Sequence, residues 1–246
     1  MKKLISATIS LLTAFILMSP MANAQQYTGM TGLIHTPDAE MDSAGTARIG
    51  MHILNKEFTP KQAFDYTTGD AYLSLTPFSW MEIGYTMTLF RRGDAKNKKD
   101  RYFSIKFRPL KEGKGWPAIA VGANDFISSG IWKSLDPGED NLSNGFFRNY
   151  YISATKHFDL KGHELGATLS YRYFTNGRNL NHYNGVVGGI TYRPRFFRPL
   201  RAILEYAGRD VNFGVDCLLW KHLLLQASLQ RFKYPSGGVC YVVNLF

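Results

Sequence analysis

The 246-residue sequence predicts an all-β protein, a transmembrane antiparallel up-and-down β-barrel of about 12 strands of the outer-membrane type. Three observations carry that expectation: apolar and polar side chains alternate, the alternating segments have the length of tilted crossing strands, and long links alternate with short ones. Residues 80–90 state the first most clearly. Met81, Ile83, Tyr85, Met87 and Leu89 are apolar, and Glu82, Gly84, Thr86 and Thr88 between them are small or polar. Successive side chains of a strand point to opposite faces, so this strand has one apolar face and one wet face.

The same pattern recurs along the chain. Ala47, Ile49, Met51 and Ile53 oppose Thr46, Arg48, Gly50 and His52; Ala71, Leu73 and Leu75 oppose Tyr72, Ser74 and Thr76. Phe103, Ile105 and Phe107 oppose Ser104, Lys106 and Arg108, and strands at 118–125 and 150–158 follow. After a tight turn at 159–162, Leu165, Ala167, Leu169, Tyr171 and Tyr173 oppose Glu164, Gly166, Thr168, Ser170 and Arg172. Weaker segments at 185–193 and 200–207 precede Val211, Phe213, Val215 and Cys217, which oppose Asn212, Gly214 and Asp216. Residues 223–230 and 238–246 complete the set. Segments of roughly 8–11 residues suit a strand that crosses a bilayer at a tilt. Long polar loops are expected at 55–69, 91–100, 126–147 and 174–184, with shorter links at 77–79, 109–117, 159–162 and 194–199. The hairpins at 208–210 and 233–237 are short exceptions on the long-loop side.

Charges decide which face is outside. Arg48, Glu82, Lys106, Glu164, Arg172, Glu205 and Asp216 stand at alternate positions, opposite aliphatic and aromatic residues. Trp80, Phe90, Tyr173, Tyr192 and Trp220 lie near strand ends, where aromatic girdles belong. The apolar face is therefore assigned to lipid and the charged face to the lumen. Enlarging the inward Thr86 or Ser170 to Asn is expected to be tolerated.

Residues 1–24 read as a signal peptide: Lys2 and Lys3, an uncharged apolar run, then Ala22-Asn23-Ala24 with cleavage after Ala24. No later apolar run approaches the ~20 residues of a spanning helix, which excludes a helical membrane protein. Residues 25–43 are Gly- and Thr-rich, lack barrel alternation, and form an N-terminal extension ahead of a barrel over 44–246. A place in the lumen, a cap on the periplasmic mouth and a disordered tail are all compatible with that composition. The formal net charge of +10 favours a negatively charged surface or polymer as partner over nucleic acid, which exported chains rarely meet. Cys217 and Cys240 are too few for a disulfide scaffold, and an intervening strand keeps them apart.

Catalytic motifs are weak. Residues 140–145 resemble the His-x-Ser nucleophile motif of barrel phospholipases, but Asn141 stands where the base belongs and leaves Ser143 without its activator. His163-Glu164 is not a zinc motif, because Ala167 replaces the second histidine. No catalytic residue, metal or cofactor is expected. The inward Arg48, Lys106, Arg172, Glu82, Glu164 and Glu205 fit two readings: a path for a sugar polymer, or mutual pairing that fills a narrow lumen. Phe146, Phe147, Tyr150 and Tyr151 suit stacking on sugar rings or a membrane girdle. Asn124-Asp125, at a strand end beside the longest loop, is the most specific site candidate.

Three stretches, at 32–51, 76–88 and 100–126, resemble the YjbH-like proteins of bacterial exopolysaccharide biosynthesis. The resemblance covers roughly 27–130 and implies a protein of the bacterial outer membrane that helps secrete or assemble an extracellular polysaccharide, together with other secretion components. It also makes residues 25–43 a family hallmark. Members of that family are longer chains, so the sequence resembles a short, single-barrel form.

Overall fold

The computed structural model describes residues 25–59, 66–92, 96–128, 145–175 and 184–246. The predicted signal peptide and the Asn141–Ser143 motif lie outside them. Twelve strands are formed: β1 (Thr46–Leu54), β2 (Thr68–Phe78), β3 (Met81–Arg92), β4 (Lys96–Leu110), β5 (Ala118–Ser128), β6 (Asn149–Leu160), β7 (His163–Phe174), β8 (Gly185–Arg193), β9 (Leu200–Tyr206), β10 (Val211–Leu219), β11 (Leu223–Gln230) and β12 (Tyr234–Asn244). Each pairs antiparallel with its sequence neighbours, and β1 pairs with β12 from Thr46↔Asn244 to His52↔Gly238, so the sheet closes. Closure leaves no strand edge unpaired, the condition for standing in hydrocarbon.

The predicted inside and outside are the observed ones. On β7, Leu169 is 63% exposed and Ser170 is 3% exposed, and the alternation continues through neighbouring strands. Ile49, Met51, Leu73, Ile152, Val186 and Leu204 share the outer face, with Trp80, Tyr173, Tyr192 and Trp220 toward its ends. The Phe90 side chain lies outside the described set.

Both ends of the wall are shaped by turn chemistry. Lys161 and Gly162 link β6 to β7 with φ of 57° and 89°, the doubly positive pair whose twist matches a two-residue hairpin. Short links join β2–β3, β4–β5, β6–β7, β8–β9 and β10–β11 at one end, where Thr46 and Asn244 also lie. The expected loop at 91–100 is largely strand, because β3 continues to Arg92 and pairs with Lys96 at the start of β4. That hairpin is therefore a third short link on the long-loop side.

The interior holds a departure from the simple hairpin series. The β4–β5 register slips between Phe103↔Ile127 and Ile105↔Ala123, and Asp125 within the slip has φ 52°. A bulge of this kind re-aims side chains, and here Asn124 and Asp125 are both buried.

Leu169→Arg is expected to cost ~2–4 kcal/mol at mid-membrane and to abolish the fast-migrating folded band on unheated gels. Ser170→Ala should keep that band, and equal damage from both would reverse the assignment of faces. Cys217 pairs with Leu225 and Cys240 with Leu224, on opposite edges of β11. At ~4.8 Å per strand the cysteines are ~9–10 Å apart, beyond the ~7 Å limit for a disulfide. Both are free, and both should take up maleimide in denatured, unreduced protein.

Candidate functional site in the lumen

Residues 25–42 occupy the lumen. Gln25, Gln26, Thr28, Met30, Thr31, Leu33, Thr36, Asp38 and Ala39 are almost fully buried. The segment makes two small bridged loops, Gln25↔Thr31 and Gly32↔Pro37, and then runs to β1 through residues 43–45. Such a segment has backbone groups that no ladder satisfies, and unpaired buried N–H and C=O groups are costly. Side chains of the wall take them up.

Glu205 on β9 accepts the consecutive backbone N–H groups of Ile34 (2.9 Å), His35 (2.8 Å) and Thr36 (2.9 Å), together with the Asn212 amide (2.8 Å). Glu82 on β3 accepts the Thr31 N–H (2.9 Å) and its hydroxyl (2.5 Å). Lys106 on β4 stands opposite Glu82 in register and donates to the Thr31 carbonyl (3.0 Å) and to Asp38 Oδ1 (3.2 Å). Arg172 donates to the His35 carbonyl, and Arg201 to that of Gly32 (3.4 Å). Hydroxyls complete the set: Thr86 donates to the Thr28 carbonyl (2.7 Å) and Ser170 to that of Pro37 (2.6 Å), while Thr155 accepts the Ala39 N–H (2.9 Å). Thr86 and Ser170 are thus buried against the segment with their hydroxyls committed to it, a role that the sequence reading of a tolerant inward face does not include.

The wall is also cut to the shape of the segment. A Cβ on Gly84 would lie 2.6 Å from Met30 Sδ, one on Gly189 2.6 Å from Leu33 Cδ1, and one on Gly214 2.9 Å from Ile34 Cδ1. Strand glycines that mark a close approach read in this way.

Each predicted site residue now has a place. Glu82, Lys106, Arg172 and Glu205 grip the segment directly, and Arg48 holds Asp42 just before β1 through bonds of 2.6 and 2.7 Å. These five do not line an open path. Glu164 is apart from them near the short-turn end, paired with Arg193 (3.2 Å) and Arg198 (3.7 Å). Asn124 and Asp125 lie on the other side of the lumen, by the long loops; the Asn124 amide meets Asn149 (3.2 Å), and Asp125 Oδ2 accepts the Phe147 N–H (3.1 Å). Phe146, Phe147 and Tyr151 point inward and are buried, so a girdle accounts only for Tyr150, which is 48% exposed. Phe146 and Phe147 instead join Leu54, Tyr102, Phe174 and Ala207 in an internal cluster, with Tyr27 packed against it.

Sequence reading missed Arg201, which bonds Asp216 (3.0 Å) and approaches Glu40 (3.6 Å), and also missed the acidic residues of the segment itself. At the short-turn mouth, His157 bridges Glu40 (2.6 Å) and Glu112 (2.7 Å) beside a cavity of about 210 Å³. Burial opposes the charge on Glu112, yet its hydrogen bonds from His157 and Lys156 hold its carboxyl below the ordinary carboxylate range. Among the described residues, no three His, Cys, Asp or Glu side chains gather to bind a metal ion.

Removing the strongest anchors should loosen the segment. In a background lacking Cys217 and Cys240, Leu33→Cys is expected to resist maleimide in the folded barrel, since Leu33 is 1% exposed. Adding Glu82→Gln and Glu205→Gln should raise its labelling rate at least tenfold. Each anchor bonds several buried donors, and a hydrogen bond to a charged group contributes about 1.5–3 kcal/mol.

Among solved structures, two outer membrane phospholipases are similar in part: that of Salmonella typhi, at 10% identity and a TM-score of 0.34, covers 82% of this chain and 92% of its own. That of Escherichia coli, at 11% identity and the same 0.34, covers 82% and 98%. A curated relative, the uncharacterized lipoprotein YjbH of Escherichia coli, is 27% identical over 78% of this chain. The chain spans only 29% of that relative's length. The model of the YjbH family, described as exopolysaccharide biosynthesis protein YbjH, matches residues 24–214, and the chain belongs to that family.

Proposed function

We propose that the protein is an outer-membrane barrel that takes part in exopolysaccharide secretion or assembly and performs no chemistry of its own. The observation that carries this reading is the lumen filled by residues 25–42, with wall charges committed to holding that segment. A barrel closed in this way is a gated or scaffolding element rather than a passive pore. Its partners on this reading are outer-membrane lipid, the extracellular polysaccharide and other secretion components. The family membership supports the polysaccharide class, and the aromatic girdles and apolar outer face support the outer membrane. The described histidines support a non-catalytic role: the rings of His35, His52, His157, His163 and His222 bond Gln230, Asp70 with Gln226, two glutamates, Tyr192 and the Val242 carbonyl, and none of these partners is a serine, threonine or cysteine that the ring would activate as a base.

The mature protein should fractionate with the outer membrane, and deletion of the gene should reduce surface polysaccharide. Refolded into planar bilayers, it should show little steady conductance, whereas a variant lacking residues 25–42 should conduct. Large conductance from the intact protein would sink the closed-barrel reading. Unchanged polysaccharide on deletion would sink the pathway assignment.

A further inference from the structure

The cavity of about 210 Å³ at the short-turn mouth lies where the segment meets the wall. Ala39 and Glu40 of the segment line it, and the wall adds Arg108 on β4, Lys111 and Glu112 in the β4–β5 link, and His157 on β6. At ~30 Å³ per water molecule it holds several waters, which is room for one sugar ring rather than an oligosaccharide. Short turns mark the periplasmic end of such barrels, so a polymer arriving from the periplasm meets this cavity before the filled lumen.

The charges around the cavity do not cancel. Both carboxylates that line it are committed to His157, whose Nε2 is 2.6 Å from Glu40 and whose Nδ1 is 2.7 Å from Glu112. An imidazole donates from both nitrogens only when protonated, so the bridge carries its own positive charge. Glu112 also takes Lys156 (3.0 Å), while Glu40 shares Arg201 (3.6 Å) with Asp216 (3.0 Å). Three carboxylates thus meet three cations, and Arg108 and Lys111 stand outside that balance. Arg108 donates to the Ser79 carbonyl (2.7 Å), and its other guanidinium donors have no partner among the described residues. Asp38, Glu40 and Asp42 act on it only from beyond ion-pair distance, and each is paired elsewhere, with Lys106, His157 and Arg48. The Lys111 side chain is exposed, and its ammonium has no carboxylate partner among the described residues.

We propose that the cavity binds one acidic sugar residue of the polymer, a uronate whose carboxylate is held by Arg108 and Lys111. This assignment rests on the polysaccharide role proposed above and names the class of polymer. A planar guanidinium with an ammonium beside it suits a carboxylate. Two further features suit a sugar better than a bare anion. Glu40 Oε2 is buried and accepts no hydrogen bond, so a ring hydroxyl can donate to it. Ala39 and Ala118 add apolar lining that the C–H face of a ring can cover. Because the segment supplies part of the lining, an occupied cavity favours the seated segment.

The test titrates refolded mature protein, in non-ionic detergent micelles, with D-glucuronate, D-glucose and inorganic phosphate. Glucuronate should bind saturably at millimolar concentration and raise the temperature at which the folded gel band is lost. Glucose and phosphate should each bind at least tenfold more weakly. Arg108→Gln and Lys111→Gln should each weaken glucuronate binding at least tenfold, and Arg108→Lys should restore part of it. Lys114→Gln removes an exposed charge from the same link outside the cavity and should change nothing. Where Arg108→Gln fails to fold, Lys111→Gln on the exposed link still decides. Lack of saturable glucuronate binding, equal binding of glucose, or an equal loss in Lys114→Gln overturns the site. Phosphate binding as tightly as glucuronate would show a general anion site and overturn the sugar assignment. Loss of surface polysaccharide on gene deletion without glucuronate binding would sink this site alone. Glucuronate binding with unchanged polysaccharide would sink the pathway role and leave the site standing.

Discussion

The lumen depends on one constraint: an irregular segment inside a closed sheet must find hydrogen-bond partners that the sheet has already spent on itself. The β-ladder satisfies the wall, and the two bridged loops of residues 25–42 satisfy only part of the segment. What remains is met by carboxylates, guanidiniums, an ammonium and hydroxyls projecting inward at alternate strand positions. Glu205 shows the logic most directly, because three successive N–H groups converge on its carboxylate. Charge-assisted bonds of this kind are stronger than neutral ones, and low local polarity strengthens them further. The charges, in turn, are tolerable inside because the segment and neighbouring wall charges bring them partners.

Much of this was legible in the chain itself. Most of the strands follow the alternation, and the inward position of Arg48, Glu82, Lys106, Arg172 and Glu205 follows from their parity against Ile, Leu and Tyr. The partner of those charges was not legible. Alternation fixes a face, but it carries no information on whether the space beyond that face holds water, other strands or the chain's own beginning. Residues 25–43 have no period to read, and their loops form only against the wall. One signal of it is present in the chain: Gly84, Gly189 and Gly214 interrupt strands at positions where a side chain would meet Met30, Leu33 and Ile34. Glycine weakens a strand, so its recurrence on an inward face reports an object packed there.

Asn124 and Asp125 illustrate a different limit. Strict alternation sends consecutive residues to opposite faces, yet both are buried, because the register of β5 slips against β4. Asp125 reaches that position with a positive φ, uncommon for a residue with a side chain. A bulge leaves no periodic trace, only a place where the period fails. The expected loop at 91–100 departs from the structure for the opposite reason: its residues are polar, and strands that run past the membrane are free to be polar.

The anchoring of the segment also has a temporal side. Ile34 meets Glu205 across a separation of 171 residues, and His35 meets Gln230 across 195. The seam between β1 and β12 is likewise made by the two ends of the barrel. The part of the chain delivered first therefore waits for its partners until nearly the last strand has arrived. During that interval its N–H groups are served by water or by whatever escorts the polypeptide, and contacts of such long range form slowly. The segment and the wall around it are thus completed together, when the final hairpins form.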